Sequence, residues 1–116
     1  MIIAVTADSG DLDSRVNPRF GRAPMFILFD TEKDNFNVVD NAVNLNAAQG
    51  AGVQAAKTVI NSGADVLISG RFGPKAFNLL EGSSVEMFVS DEITVKEAIS
   101  QQLLGNLEKI TREQAL

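Results

Sequence analysis

The order of the predicted elements constrains the fold of this chain more than any other feature of its sequence. Three short apolar runs come first, and helices and strands then alternate along the rest of the chain. The predicted strands β1 to β5 are residues 2–5, 25–30, 35–41, 66–68 and 85–89. This order predicts an α/β fold whose mixed sheet opens with antiparallel strands and continues through helical crossovers.

Three helices are predicted from their start and stop signals. Helix α1 spans residues 50–62, α2 runs from Pro74 to just before Gly82, and α3 begins at the capping box formed by Thr94 and Glu97. Apolar residues at helical spacing predict the buried faces: Val53, Ala56 and Ile60 in α1, Phe77 and Leu80 in α2, and Val95, Ile99 and Leu103 in α3.

The simplest connection of these elements gives a five-stranded sheet of order 3-2-1-4-5 in which only β2 is reversed. That arrangement predicts a three-layer α/β/α domain with a ribonuclease-H-like motif. Residues 1–104 are predicted to form this single domain. Residues 105–116 begin with glycine and are polar, so we expect a C-terminal tail or a separate short helix there.

The residue types that are absent exclude much chemistry. The chain has no cysteine and no histidine, so it has neither a thiolate nucleophile nor the commonest general base and metal ligands. Its net charge of −5 argues against binding to nucleic acid or to an acidic membrane. The apolar run after Met1 is too short for a signal peptide or a membrane span, which predicts a cytoplasmic protein.

The predicted topology also indicates where a ligand would bind. Ligands of open α/β sheets lie at the carboxyl ends of the parallel strands, where the strand order changes direction. Here that point falls between β1 and β4, so loops 7–24 and 69–74 should flank the site. Four of the five arginines lie in these loops, and a guanidinium group binds oxyanions well: Arg15, Arg19, Arg22 and Arg71.

Other residues near this edge have two interpretations. We expect Arg15 to pair with the nearby loop aspartates, whereas Arg19, Arg22 and Arg71 are predicted to bind a ligand. Gly50, Gly52 and Gly73 open helices whose N–H groups could face an anion, although glycine is common at such positions. Phe20 and Phe72 either stack on a ligand or cap the core.

The segment from Arg19 to Pro24, Arg-Phe-Gly-Arg-Ala-Pro, resembles a motif of the dinitrogenase iron-molybdenum cofactor biosynthesis family. The resemblance continues at 50–56, 63–68, 70–77 and 94–98, and covers about residues 1–107. It implies a ribonuclease-H-like fold and, for some members, a role in carrying or inserting the iron-molybdenum cofactor or its precursors. The implied ligand-binding residues are Arg19, Phe20, Gly21, Arg22, Asn46, Gln49, Gly50, Gly52, Gly70, Arg71, Phe72 and Gly73.

One departure from the family motif concerns metal ligation. The motif commonly begins with histidine, and this chain has Arg19 there; near Gly50, where some members have another histidine, it has Asn46 and Gln49. Direct ligation of iron would fall to carboxylates or to methionines, which suit a sulfide cluster poorly. The resemblance therefore implies an iron-molybdenum or iron-sulfur cluster that is bound transiently, with no protein metal ligand assigned.

Three functions follow from these observations. The first is a non-catalytic carrier of an anionic small molecule or metal cofactor, with a metalloprotein as a candidate acceptor. The second is an adaptor that docks on a metalloprotein through the same loops. The third is a metal-dependent phosphoryl-transfer enzyme, for which Asp8 is the one well-placed carboxylate, since Asp65 and Asp91 are predicted to lie elsewhere. Ligand identity and oligomeric state do not follow from the sequence.

Overall fold

The computed structural model of the protein describes residues 1–41 and 50–111. Within these residues, none of the helices is long and apolar enough to cross a membrane. The strands are β1 (Ile2–Ala7), β2 (Met25–Asp30), β3 (Asn35–Asp40), β4 (Val66–Ser69), β5 (Glu86–Val89) and β6 (Glu108–Lys109). The helices are a 3₁₀ helix (Phe20–Arg22), α1 (Ala51–Asn61), α2 (Pro74–Glu81) and α3 (Val95–Leu103).

The strands form one mixed sheet of order β3-β2-β1-β4-β5-β6. Strand β2 is antiparallel to both β1 and β3, whereas β4 is parallel to β1 and β5 is parallel to β4. The predicted order and the reversal of β2 are confirmed. The predicted count of five strands is wrong, because β6 adds an antiparallel strand beside β5. The ribonuclease-H-like motif stays a prediction.

Strand β6 lies in the segment that the sequence indicated as a polar tail. Its two residues, Glu108 and Lys109, are charged and exposed, so no apolar alternation marks them as a strand. Pairing with Phe88 and Val89 of β5 holds them in place. The following Ile110 donates its N–H to the Met87 carbonyl at 3.0 Å and is only 7% exposed. The burial of Ile110 and the pairing with β5 therefore stabilise a strand that the local sequence does not predict.

Helices cover both faces of the sheet. Ala4 of β1 and Leu67 of β4 face α1 and α2, whereas Ile3, Val5 and the neighbouring apolar residues of β4 face α3. Because β1 and β4 are covered on both sides, nearly all of their residues are apolar, as is usual for parallel strands in the centre of a sheet. The three layers leave the carboxyl ends of β1 and β4 at one edge of the sheet.

The buried face of α1 differs from the prediction. Ala56 is buried as expected, but Val53 and Ile60 are only half-buried. The buried residues are instead mostly small: Ala51, Ala55, Ala56 and Val59. Small residues suit this face because the backbone of α1 lies close to its neighbours, and a Cβ built on Gly52 would contact the Ala76 Cβ of α2 at 3.4 Å.

Helix α3 begins as predicted, but its last turn is less buried than predicted. The Thr94 hydroxyl accepts a hydrogen bond from the Glu97 N–H at 3.1 Å, and the Glu97 carboxylate lies 2.9 Å from that hydroxyl. Val95 and Ile99 are buried, but Leu103 is 55% exposed, so its predicted inward position is wrong. Within the described residues, nothing covers the last turn of the helix well enough to bury it.

Candidate ligand-binding cleft

A cleft of about 430 Å³ lies at the carboxyl edge of the sheet, between the loops that follow β1 and β4 and the start of α1. Its position agrees with the edge at which β1 and β4 end side by side. Its described lining residues are Arg19, Phe20, Gly21, Arg22, Gly50, Ala51, Gly52, Arg71, Phe72 and Gly73. Residues separated by more than 50 positions in the chain thus share one cavity.

Backbone contacts join the two arginine-bearing loops directly. Arg19 and Arg71 pair as an isolated parallel bridge, and the Phe20 N–H donates to the Arg71 carbonyl at 3.1 Å. The Arg22 N–H in turn donates to the Arg19 carbonyl at 3.1 Å, which closes the 3₁₀ turn. The three cleft arginines therefore belong to one hydrogen-bonded backbone unit.

The charges that line the cleft are positive. None of the described lining residues is acidic. Within residues 1–41 and 50–111, the side chains of Arg19 and Arg71 make no hydrogen bond or ion pair, and both are exposed. Ion pairs away from the cleft join the Met1 amino group to Glu32 and Lys109 to Glu86. Two guanidinium forks are thus available to an anion from solvent.

Two helix N-termini add to this positive environment. Gly50 precedes α1 with a φ of 77°, which is a left-handed conformation that glycine adopts without strain. Gly73 precedes α2, whose first residue is Pro74. Neither glycine provides a side-chain cap, and both line the cleft, so the positive end of each helix dipole lies beside it.

The aromatic residues of the cleft belong to the core. Phe20 and Phe72 are 2% and 1% exposed, and their ring centroids are 5.3 Å apart. Phe20 also packs against Phe26 of β2, at 5.8 Å between centroids. Of the two interpretations, the core-capping one agrees with this burial, and no exposed ring face is left for stacking. The phenylalanines support the cleft from below.

Arg15 does not take part in the cleft. Its Nη1 donates to the Glu92 carbonyl at 2.6 Å, so it fixes the loop through a different partner from the predicted aspartates. Asp8 accepts from the Asn17 side chain, and Asp11 accepts from the Asp13 N–H. The expectation that Arg15 is structural agrees with these contacts, but the expected aspartate pairing is wrong.

Three predicted ligand-binding residues, Gly70, Asn46 and Gln49, are not among the described lining of the cleft. Gly70 is not among the cleft lining, because it packs against Pro18. Asn46, Gln49 and the fifth arginine, Arg112, lie outside the described residues. Ala51 lines the cleft and was not predicted; its place directly between two predicted glycines was the available signal.

A second depression adjoins the cleft along α2. It shares Gly50, Gly52 and Gly73 with the cleft and extends past Pro74 to Lys75. Lys75 was not predicted as a site residue, although it lies in the segment 70–77 that carries the family resemblance. A further cation therefore lines the depression that adjoins the arginine-lined cleft.

The donor set of the described residues does not suit direct metal ligation. No group of three or more carboxylates in residues 1–41 and 50–111 could hold a metal ion, and the whole chain has no histidine or cysteine. Asp65 lies at the opposite end of β4 and accepts from the Ile2 N–H at 2.8 Å. The cleft is therefore suited to an anion held by charge and hydrogen bonds.

The fold and the cleft together define a small α/β protein with an arginine-lined cavity at the carboxyl edge of a mixed sheet. A model of the family described as "Dinitrogenase iron-molybdenum cofactor" matches residues 1–105. The chain belongs to this family.

Solved structures agree with this assignment. The apo form of the orange protein from Desulfovibrio gigas is 38% identical and superposes with a TM-score of 0.91, covering 95% of this chain and 92% of that one. The NMR structure of a candidate NifB protein from Thermotoga is 35% identical, with a TM-score of 0.82 and 97% of each chain covered. A protein of Methanocaldococcus jannaschii without an assigned function is 28% identical over 112 residues, 94% of this chain and 91% of that protein.

Proposed function

We propose that this protein is a non-catalytic carrier of an anionic ligand, which it holds in the arginine-lined cleft. The observation that carries the proposal is the pair Arg19 and Arg71, whose guanidinium groups face solvent without a bond to any described residue. A guanidinium group can bind two oxygens of an anion at once. Since backbone contacts hold Arg19 and Arg71 side by side, their two guanidinium groups are suited to bind one anion together.

The ligand class that fits best is a metal-sulfur cluster of the iron-molybdenum type, or its precursor, carried as cargo. The family assignment supports this class, and the related orange protein is described in an apo form. A cluster that already has its own sulfide and organic ligands needs no thiolate from the carrier. Arginine side chains and helix N–H groups can bind its outer atoms by charge-assisted hydrogen bonds.

A phosphoryl-transfer enzyme has less support. That chemistry requires carboxylates that converge on a metal ion. Asp8 is bonded to Asn17, and Asp65 lies at the far end of β4. Mg²⁺-dependent nuclease or phosphatase turnover by the purified protein, lost in a variant of Asp8, would favour the enzyme over the carrier.

The carrier is tested by anaerobic purification after incubation with cell extract, followed by elemental analysis and a visible absorption spectrum. We expect iron or molybdenum in fixed proportion to protein in the wild type and its loss in Arg19→Ala with Arg71→Ala. The charge-matched control is Lys33→Ala with Lys57→Ala, since both lysines are exposed and do not line the cleft.

Two results would contradict the proposal. Equal metal retention by the arginine variant and its lysine control would show that the cleft does not hold the cargo. A metal-free wild type that captures a metalloprotein from the extract regardless of added cofactor would identify the adaptor function instead. The first result requires that the arginine variant gives the wild-type circular dichroism spectrum.

A further inference from the structure

A buried polar network lies beneath the cleft, at the carboxyl ends of β1 and β4. The Thr6 hydroxyl oxygen lies 2.7 Å from the Asn17 carbonyl and 2.9 Å from the Ser69 hydroxyl. Thr6 and Ser69 are both fully buried. Because Thr6 has one hydroxyl hydrogen and a carbonyl can only accept, Thr6 donates to Asn17 and accepts from Ser69. The network thereby ties two neighbouring strands to the loop that carries Arg19 and Arg22.

The side chain of Asn17 extends this network on the loop. Its Oδ1 accepts from the Arg19 N–H at 2.9 Å, and its Nδ2 donates to the Asp8 carboxylate at 2.9 Å. Its own N–H donates to the Thr6 carbonyl at 2.9 Å. A backbone N–H can only donate and a carboxylate can only accept, so these two partners fix the orientation of the amide.

The two arginines lie at matching positions relative to this network. Arg19 follows Asn17 by two residues and Arg71 follows Ser69 by two residues, so each arginine leaves the network at the same distance along its loop. The bond between the Phe20 N–H and the Arg71 carbonyl then joins the two loops above it. Within the described residues, the guanidinium groups of Arg19 and Arg71 make no bond that would hold the two loops together.

We propose that Asn17 is a positioning residue of the cleft and that Asp8 is its anchor. Asn17 holds the Arg19 backbone in register with Arg71, so that both guanidinium groups meet one anion without first ordering the loop. A site that is ordered before binding loses less conformational entropy when the ligand arrives. This inference rests on the proposed function. It assigns to the Asp8 carboxylate the role of holding the Asn17 side chain in place.

The network can be broken and rebuilt without changing the net charge. Asn17→Ala removes both side-chain bonds, whereas Asn17→Asp places a second carboxylate against Asp8. Combining Asn17→Asp with Asp8→Asn reverses the pair: the new amide at position 8 donates to the new carboxylate at position 17, which still accepts from the Arg19 N–H. Asn17→Ala and this double variant keep the wild-type net charge, and the double variant moves one carboxylate from position 8 to position 17. Asn37→Ala, exposed on β3, is the remote control.

Two measurements are made on each full-length variant. The first is hydrogen exchange of the Arg19 amide without ligand, which reports the bond to Asn17 directly. The second is the affinity for molybdate, with inorganic phosphate as a second probe, from chemical shifts of the cleft amides. We expect Asn17→Ala to exchange faster and to bind about fivefold to tenfold more weakly, because an intramolecular hydrogen bond contributes about 1 kcal/mol. Asn17→Asp should bind more weakly still, and the double variant should recover to within about threefold of the wild type.

The outcomes separate the inference from the proposed function. Faster exchange in Asn17→Ala with unchanged anion affinity would overturn the positioning role and leave the carrier intact. Failure of the double variant to recover Arg19 exchange, while Asn37→Ala stays at wild type, would also overturn it. If the wild type binds neither probe, the proposed function loses support, and recovery of Arg19 exchange in the double variant still decides whether Asn17 positions the arginine.

Discussion

Gly70, which links β4 to Arg71, has no room for a side chain. A Cβ at this position would lie 2.7 Å from the Pro18 Cα and 2.8 Å from the Pro18 carbonyl oxygen. Gly21 is similarly close to α1, since its Cβ would lie 2.9 Å from the Gly52 N and Cα. Both glycines were predicted to contact a ligand. In the structure Gly21 lines the cleft, and both glycines let the two loops and the start of α1 approach closely enough to form it.

At this scale we predict that Gly70→Ala lowers the free energy of unfolding by about 1–3 kcal/mol, because the added methyl must displace the backbone of Pro18. The control is Gly82→Ala, whose nearest contact is an ordinary 3.6 Å. Urea denaturation followed by circular dichroism measures both. Equal stability of the two variants would show that the loop moves aside without cost.

The residues of the cleft differ in how far the sequence predicted them. Strand order predicted that the loops carrying Arg19 and Arg71 lie side by side, because the loops after two adjacent parallel strands emerge at the same edge; the pairing of Arg19 with Arg71 within them came from the structure. The burial of Phe20 and Phe72 did not follow, since it depends on Phe26 of a strand reached only through the tertiary fold. The role of Asn17 was missed because its partners depend on how the loop folds back.

Among the elements, the β2–β3 hairpin was predicted with nearly correct ends because its signals are local. The Asp30 carboxylate at the end of β2 accepts from the N–H groups of Lys33 and Glu32, and Asp34 adopts a φ of 54°. These bonds stabilise the charged form and lower the pKa of Asp30 below its ordinary value of 3.8, with the Lys33 bond as the largest cause.

A pH dependence of stability follows for this hairpin. Because the pKa of Asp30 is lower in the folded state, its contribution is complete above the unfolded pKa and is lost as the pH falls from about 4 through the folded value. We therefore expect the stability difference between wild type and Asp30→Asn to shrink as the pH falls below about 4. Urea unfolding between pH 2.5 and 6 measures it, and a difference that grows with acidification would contradict the sign.

The helices show what local signals leave undetermined. The start of α3 followed from its capping residues, and Thr94 does accept from the Glu97 N–H. The burial of individual residues in α1 and in the last turn of α3 was not predicted correctly. Helical periodicity predicts an apolar face, but it does not predict which part of that face another element covers. In α1 the buried residues are mostly alanines, because neighbouring elements lie close to the helix backbone. In α3 no described element covers the Leu103 side chain, which stays 55% exposed.

For the whole molecule, the sixth strand completes one edge of the sheet. Ile110, just after β6, joins the core cluster beneath α1 and α2, together with Met87 and Phe77. The segment after residue 104 therefore contributes to the same core as the first strands. Its contribution comes from Ile110, from Leu107, which is partly buried against the core on the α3 side, and from a few backbone bonds.

We predict that Ile110→Ala lowers the free energy of unfolding by about 2–4 kcal/mol, as expected when a large buried side chain is truncated. Leu104→Ala is the control, because Leu104 lies only six residues earlier and is 70% exposed. The control should change stability by less than about 0.5 kcal/mol. If urea denaturation gives the two variants the same stability, the packing of Ile110 against the core is not maintained in solution.

The sequence by itself determined the order of the strands, the reversal of β2, the edge of the sheet that holds the cleft and the arginines that line it. These features depend on local apolar patterns and on the few ways in which successive strands can connect, both of which are readable along the chain. The tertiary structure decided the sixth strand, the buried positions of Phe20 and Phe72, and the network through Asn17. Each of these depends on contacts between residues far apart in the chain, whose free energy no local pattern records.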